Sequence, residues 1–222
     1  MQILPFYMVC DESGSMAGPD GVDTINAALP DLHHEISTNP SVADKTRFAL
    51  IGFSTQASLL QPLADLSELT QLPSLSAGGV TSFGAAFRLL KDTIDMDVAA
   101  LKSEGHDVYR PVVFFLSDGI PTDDDWRTVL KELNAFRYAP KIIAFGIGDA
   151  DAAIISEVAN FKAFMQQDQS VTPAVALREF ASSLTRSIVN SATSMDSQGG
   201  EGFHLDVQDH VPGFTRVSLD KL

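Results

Sequence analysis

The sequence predicts a doubly wound, Rossmann-like α/β fold, with helices on both faces of a mostly parallel six-stranded sheet. Three observations predict it. The apolar runs at residues 3–10 and 112–117 are continuous rather than alternating, which suits strands buried on both faces of a parallel sheet. Such runs alternate along the chain with stretches whose apolar residues recur at helical spacing, the pattern of βαβ units. The 222 residues, 45% of them hydrophobic, suffice for one α/β domain with a tail.

Taken in order, the run at 3–10 is the first strand, and it opens onto a polar turn. Val22, Ile25, Leu29, Leu32 and Ile36 then mark a helix that Pro30 should kink or split. Residues 47–54 form a second strand and 57–63 a third. The link between them is too short for a parallel crossover, so the third strand is an antiparallel sheet edge, where Pro62 is tolerated. Residues 65–76 are a short helix or irregular. The Gly-rich loop 78–82 leads into a long helix carrying Phe83, Phe87, Leu90, Ile94 and Leu101. The fourth strand, 112–117, ends on Asp118 and Gly119. Residues 122–126 start the next helix, with Asp123, Asp124 and Asp125 suited to its N-terminus. Strand five is 141–148 and a short helix covers 152–159. A weaker sixth strand covers 161–165, and Val175, Leu177, Phe180, Leu184 and Ile188 mark a last helix. The domain is expected to span 1–193. Residues 194–222 are read as a Ser/Gly-rich linker and a tail of unassigned role, with a weak strand pattern at 214–219.

Charge narrows the partners. Fifteen basic against twenty-nine acidic residues leave a net charge of −14, which argues against nucleic acid and against anionic membrane surfaces. Cys10 is alone and reads as a reduced core residue. No apolar run approaches the ~20 residues of a membrane span, and no basic leader precedes an apolar segment, so a cytoplasmic setting is expected.

The candidate chemistry lies at strand ends. Asp11, Ser13 and Ser15 alternate around Gly14 directly after the first strand. A tight turn can aim their oxygens at one point; the same residue types also suit a helix N-cap. Ligands of a doubly wound sheet sit beyond the carboxyl ends of the strands, where the order reverses. With strand order 3-2-1-4-5-6, strands one and four are neighbours ~4.8 Å apart. Asp11 and Asp118 then converge, and the loop 78–82 brings in Thr81. Hard oxygen donors without thiols or imidazoles suit Mg²⁺ or Mn²⁺.

Asp11-x-Ser13-x-Ser15, a later Thr81 opening a helix, and Asp118-Gly119 after an apolar strand together resemble the metal-ion-dependent adhesion site of von Willebrand factor A domains. The resemblance covers about residues 1–192. It implies a metal held by Asp11, Ser13, Ser15, Thr81 and Asp118: Mg²⁺, or Mn²⁺ or Ca²⁺ in its place. It also implies a protein partner that offers an Asp or Glu to that ion. The stretch 116–123 resembles the bacterial TerY-like proteins of tellurium resistance, which implies a stress-response setting and a kinase or phosphatase of the same system as partner.

A metal-dependent hydrolase or phosphotransfer enzyme is the rival reading, and a purely structural metal a third. Activation of water on a metal needs a general base beside it. His33 and His34 fall on the first helix, His106 at the opposite end of the sheet, and His204 and His210 in the tail. Neither a Gly-x-Gly-x-x-Gly after the first strand nor a Walker sequence is present. The expectation is therefore a non-catalytic binding module.

Overall fold

In the computed structural model, which describes residues 1–17, 21–167, 172–194 and 209–217, one mixed sheet forms the middle layer. Its strands are β1 (Gln2–Asp11), β2 (Thr46–Phe53), β3 (Ala57–Ala64), β4 (Asp107–Val108), β5 (Val112–Ser117), β6 (Lys141–Gly146), β7 (Lys162–Gln166) and β8 (Phe214–Val217). They run in the order β3-β2-β1-β5-β6-β7-β8, with β4 beside the start of β1. The six expected strands thus keep the expected order, with β3 antiparallel at the edge. The sheet nevertheless has eight strands rather than six. β4 is two residues long, too short to leave a periodic signal. β8 comes from the tail and pairs antiparallel with β7, closing the far edge.

Among the described residues six α-helices flank the sheet: α1 (Val22–Ser37), α2 (Pro40–Ala43), α3 (Phe83–Ser103), α4 (Trp126–Ala135), α5 (Ala152–Val158) and α6 (Pro173–Ser194). Successive side chains of a strand point to opposite faces. Leu4, Phe6, Met8 and Cys10 accordingly pack with α1, α2 and α6, whereas Tyr7 and Val9 pack with α3, α4 and α5. This double cover is why β1 and β5 read as unbroken apolar runs. The side chains of Phe180, Leu184 and Ile188, expected on the inner face of the last helix, lie outside the described residues, as do residues 195–208 and 218–222.

The prolines fit in three ways. α1 continues through Pro30, which faces solvent, so the carbonyl it frees can be hydrated; the expected split does not occur. Pro62 falls at the register shifts of the β2–β3 edge pair. Pro5 lies in a central strand, yet its missing N–H falls where β1 changes partner from β4 to β5.

An aromatic cluster stiffens the sheet beneath its carboxyl edge. Phe83 meets Phe115 at 5.0 Å, Trp126 at 5.7 Å and Phe53 at 5.8 Å, all edge to face. Phe83 is the first residue of α3, so this packing also fixes the loop just before it.

Candidate metal centre

β1 and β5 are parallel neighbours in register through Cys10 and Leu116, so Asp11 and Asp118 leave the sheet side by side. Asp11 is fully buried. One of its carboxylate oxygens accepts from the Ser13 backbone N–H at 2.8 Å and the other from the Ser117 hydroxyl at 2.5 Å. Burial pushes its carboxyl above the usual range; the Ser117 and Ser13 hydrogen bonds pull it back, and the nearby Asp118 pushes it up again.

From Asp11 the polar groups run on in a chain. The Ser13 and Ser15 hydroxyl oxygens are 3.1 Å apart, and Ser15 donates to Asp118 at 2.9 Å. Asp118 is half-buried, and its carboxyl is also raised, first by desolvation and last by the charge of Asp149. The turn after β1 is clipped to the Gly-rich loop by two backbone bonds: the Gly14 N–H donates to the Gly79 carbonyl and the Gly78 N–H to that of Glu12. Gly79 adopts a φ of 81°, a conformation that favours glycine.

Thr81 arrives from this loop and is buried. Its carbonyl accepts from both the N–H and the hydroxyl of Thr122, which ties the loop to the segment after β5. Its hydroxyl sits against Gly119, where an added Cβ would lie 2.9 Å away. All five expected ligands therefore gather at one edge of the sheet, four of them in a continuous hydrogen-bonded chain. Two carboxylates and three hydroxyls fit a hard divalent cation such as Mg²⁺, Mn²⁺ or Ca²⁺. Among the described residues, no group of three or more His, Cys, Asp or Glu offers a softer alternative.

Two neighbouring acids behave differently from the sequence expectation. Asp123 does not serve its own helix. Its carboxylate accepts from the N–H groups of Phe83 and Gly84 at 2.9 and 2.7 Å, capping α3 alongside the Ser82 N-cap. Asp125 pairs with Arg88 of α3, and Asp124 is exposed. Glu12, in the turn after β1, folds over Gly52 and accepts from the Ser76 N–H at 2.7 Å.

Sequence reasoning missed Ser117 and Asp149. Ser117 carried a usable signal, a hydroxyl closing an apolar strand just before Asp118. Asp149 carried none. His33 bonds the Leu66 carbonyl, and His106 lies beside Glu104 at the far pole. His204 lies outside the described residues. The tail acid Asp209 pairs with Lys162 and Arg216 at the β7–β8 edge.

The family model of the von Willebrand factor type A domain matches residues 6–181, from within β1 to within α6. The chain belongs to this family. Solved structures share the fold of this von Willebrand A domain at low identity. The pilus adhesin SpaC of Lactobacillus rhamnosus GG, in its open conformation, superposes with a TM-score of 0.62 at 14% identity, covering 86% of this chain and 30% of that one. A von Willebrand factor type A protein of Catenulispora acidiphila gives 0.59 at 16% identity, covering 82% and 43%. Proximal thread matrix protein 1 of the mussel byssus, solved with zinc in its MIDAS motif, gives 0.51 at 19% identity, covering 72% and 39%. The chain thus spans less than half the length of each. Comparison with curated protein sequences gives no match.

Proposed function

We propose that this von Willebrand A domain is a metal-dependent protein-interaction module. Asp11, Ser13, Ser15, Thr81 and Asp118 would hold one divalent cation, and a partner's Asp or Glu would complete its coordination. The observation that carries this is the chain of oxygens from Asp11 through Ser13 and Ser15 to Asp118, with Thr81 on the adjoining loop. The mussel protein's zinc-occupied motif supports it by analogy of fold.

When bound, the cation supplies an electrophile for one further anionic oxygen, because only two of its five protein ligands carry charge. The chain's own residues do the rest. Ser117 and the Ser13 N–H keep Asp11 aimed; Ser15 can turn its proton away from Asp118 and present its lone pairs. Val80 and Ile120, half exposed at 51% and 57%, directly follow Gly79 and Gly119 and form an apolar rim beside the site. That rim suits a protein partner better than a small anion.

We read the module as non-catalytic: among the described residues His33 is tied to the Leu66 carbonyl and His106 lies at the far pole, and Asp11 and Asp118 are read as ligands rather than bases. The finer reading is a TerY-like protein of a bacterial tellurium-resistance or stress-response system, acting in the cytoplasm with a kinase or phosphatase as partner. It rests on residues 116–123 alone; co-purification with the products of neighbouring genes tests it. Among the described residues no helix is long and apolar enough to cross a membrane.

The decisive experiment is capture of partners on the immobilised chain in Mg²⁺ and in EDTA, with Asp118→Ala as control. Partners should be lost in EDTA and with the variant. They should depend little on moderate salt, since screening acts over ~8 Å and the coordinate bond is shorter. A partner held equally in EDTA overturns the reading, and a thermal shift with Mg²⁺ unaccompanied by metal-dependent capture points to a structural ion.

A further inference from the structure

The pole opposite the metal centre carries a different surface. A groove of about 390 Å³ opens where α3 ends and where the chain enters β5 and β6. Val98, Phe136 and Tyr138 line it, and Lys102, Arg110 and Arg137 rim it. Lys102 Nζ stands 4.6 Å from the Tyr138 ring centre and the Arg137 guanidinium 4.7 Å from it. Arg110 is exposed and donates through Nε to the Ala139 carbonyl at 2.7 Å. Just behind, Lys141 lies over the Phe161 ring at 4.9 Å.

Acids outnumber bases almost two to one in this chain, 29 against 15, and more than half of the described cations have a carboxylate partner. Arg137 has one, Asp95 at 2.8 Å. Among the described residues, Lys102, Arg110 and Lys141 have none within ion-pair distance. Lys45 and Lys131 are likewise without one but do not line this groove. The acids at this pole do not fill the gap: Glu104 lies 3.5 Å from His106, and Asp107 faces Tyr109. Burial and then the charge of Arg110 pull the Lys141 ammonium below its usual range, a repulsion that an incoming anion would relieve.

We propose that this groove is a second docking surface, for an acidic segment of a protein partner that sets an aromatic or apolar side chain on the Val98–Phe136–Tyr138 floor and its carboxylates against Lys102, Arg110 and Arg137. The surface works without the metal. The cations come from three separate segments along an apolar floor, an arrangement that matches an extended peptide. A single phosphate calls for donors converging on one point, and the net charge of −14 disfavours nucleic acid.

The test is amide chemical-shift mapping of the full chain in EDTA, titrated with a short peptide of glutamates around one phenylalanine. Shifts should centre on Val98, Lys102, Tyr109, Arg110, Phe136 and Tyr138, and should weaken as salt rises. Lys102→Glu combined with Arg110→Glu should reduce affinity at least about tenfold, because each reversal turns attraction into repulsion. Lys131→Glu, on the exposed face of α4, should leave it unchanged. The milder pair Lys102→Ala and Arg110→Ala covers the case in which charge reversal unfolds the chain. No shift at this pole, shifts confined to the Thr81–Asp118 edge, equal loss with Lys131→Glu, or the same shifts from inorganic phosphate alone would each overturn the proposal. Because EDTA is present throughout, the outcome is independent of the metal-site reading.

Discussion

Gly119 offers a way to disturb the proposed metal centre without replacing any of its proposed ligands. A Cβ at this position would lie 2.9 Å from the Thr81 hydroxyl oxygen and 3.5 Å from its methyl carbon. Real Cβ contacts are longer, so Thr81 must retreat by a few tenths of an ångström or turn its hydroxyl away. The backbone itself tolerates alanine, because Gly119 is not among the glycines with positive φ. Gly119→Ala should therefore keep the metal-free stability within about 1 kcal/mol of the parent. Disturbing the support of a metal ligand typically costs about 10- to 100-fold in affinity. At a metal concentration about one hundred times the parent Kd, bound metal stabilises the parent by ~2.7 kcal/mol; the variant would retain only ~0.4–1.4 kcal/mol. In a chain of this size that is a thermal shift of about 5–11 °C falling to about 1–6 °C. Gly14→Ala is the control. Its Cβ would meet only the Gly79 carbonyl, at an ordinary 3.4 Å, and the shift should survive. Scanning calorimetry with Mg²⁺ and with EDTA measures both. An undiminished metal-dependent shift in Gly119→Ala would refute the placement of Thr81 among the ligands.

Four further outcomes follow from contacts away from the ligands. Tyr7 is fully buried and donates to half-buried Asp97 at 2.9 Å, so Tyr7→Phe should cost about 1.5–3 kcal/mol in urea unfolding. Burial raises the Asp97 carboxyl above its ordinary 3.8, so its neutral form favours the folded state. The stability of the parent relative to Asp97→Asn should then be greatest below that value and should fall as pH rises through the raised one; no such fall would contradict the assignment. Asp123→Ala removes the acceptor for two N–H groups of α3 and should cost about 1–2 kcal/mol and weaken Mg²⁺-dependent stabilisation, both read by calorimetry. Phe214 of β8 is 3% exposed and meets Phe145 edge to face at 5.6 Å, so Phe214→Ala should cost about 3–5 kcal/mol; a loss under about 0.5 kcal/mol would mean that β8 does not pack on the sheet.

The sequence by itself determined the layer architecture, while the order of its six strands was an expectation carried by the doubly wound class. Fully buried strands must be apolar throughout, and helices that cover them must repeat their apolar residues with the helical period; both constraints are local and readable. It also brought Asp11, Ser13, Ser15, Thr81 and Asp118 to one edge, because each follows directly on a strand or opens a helix, and parallel neighbours end together. Only the tertiary structure decided which groups hold those residues in place. The bonds from Ser117 to Asp11, from Ser76 to Glu12 and from Phe83 to Asp123 join residues 106, 64 and 40 positions apart. No periodicity encodes such a partnership; it exists once strands and loops are already packed. The same holds for β8, whose short alternating pattern acquires meaning from the open edge of β7, and for the groove around Tyr138. Its cations lie scattered from Lys102 to Lys141 in the sequence and gather only because α3, β5 and β6 begin or end at the same pole.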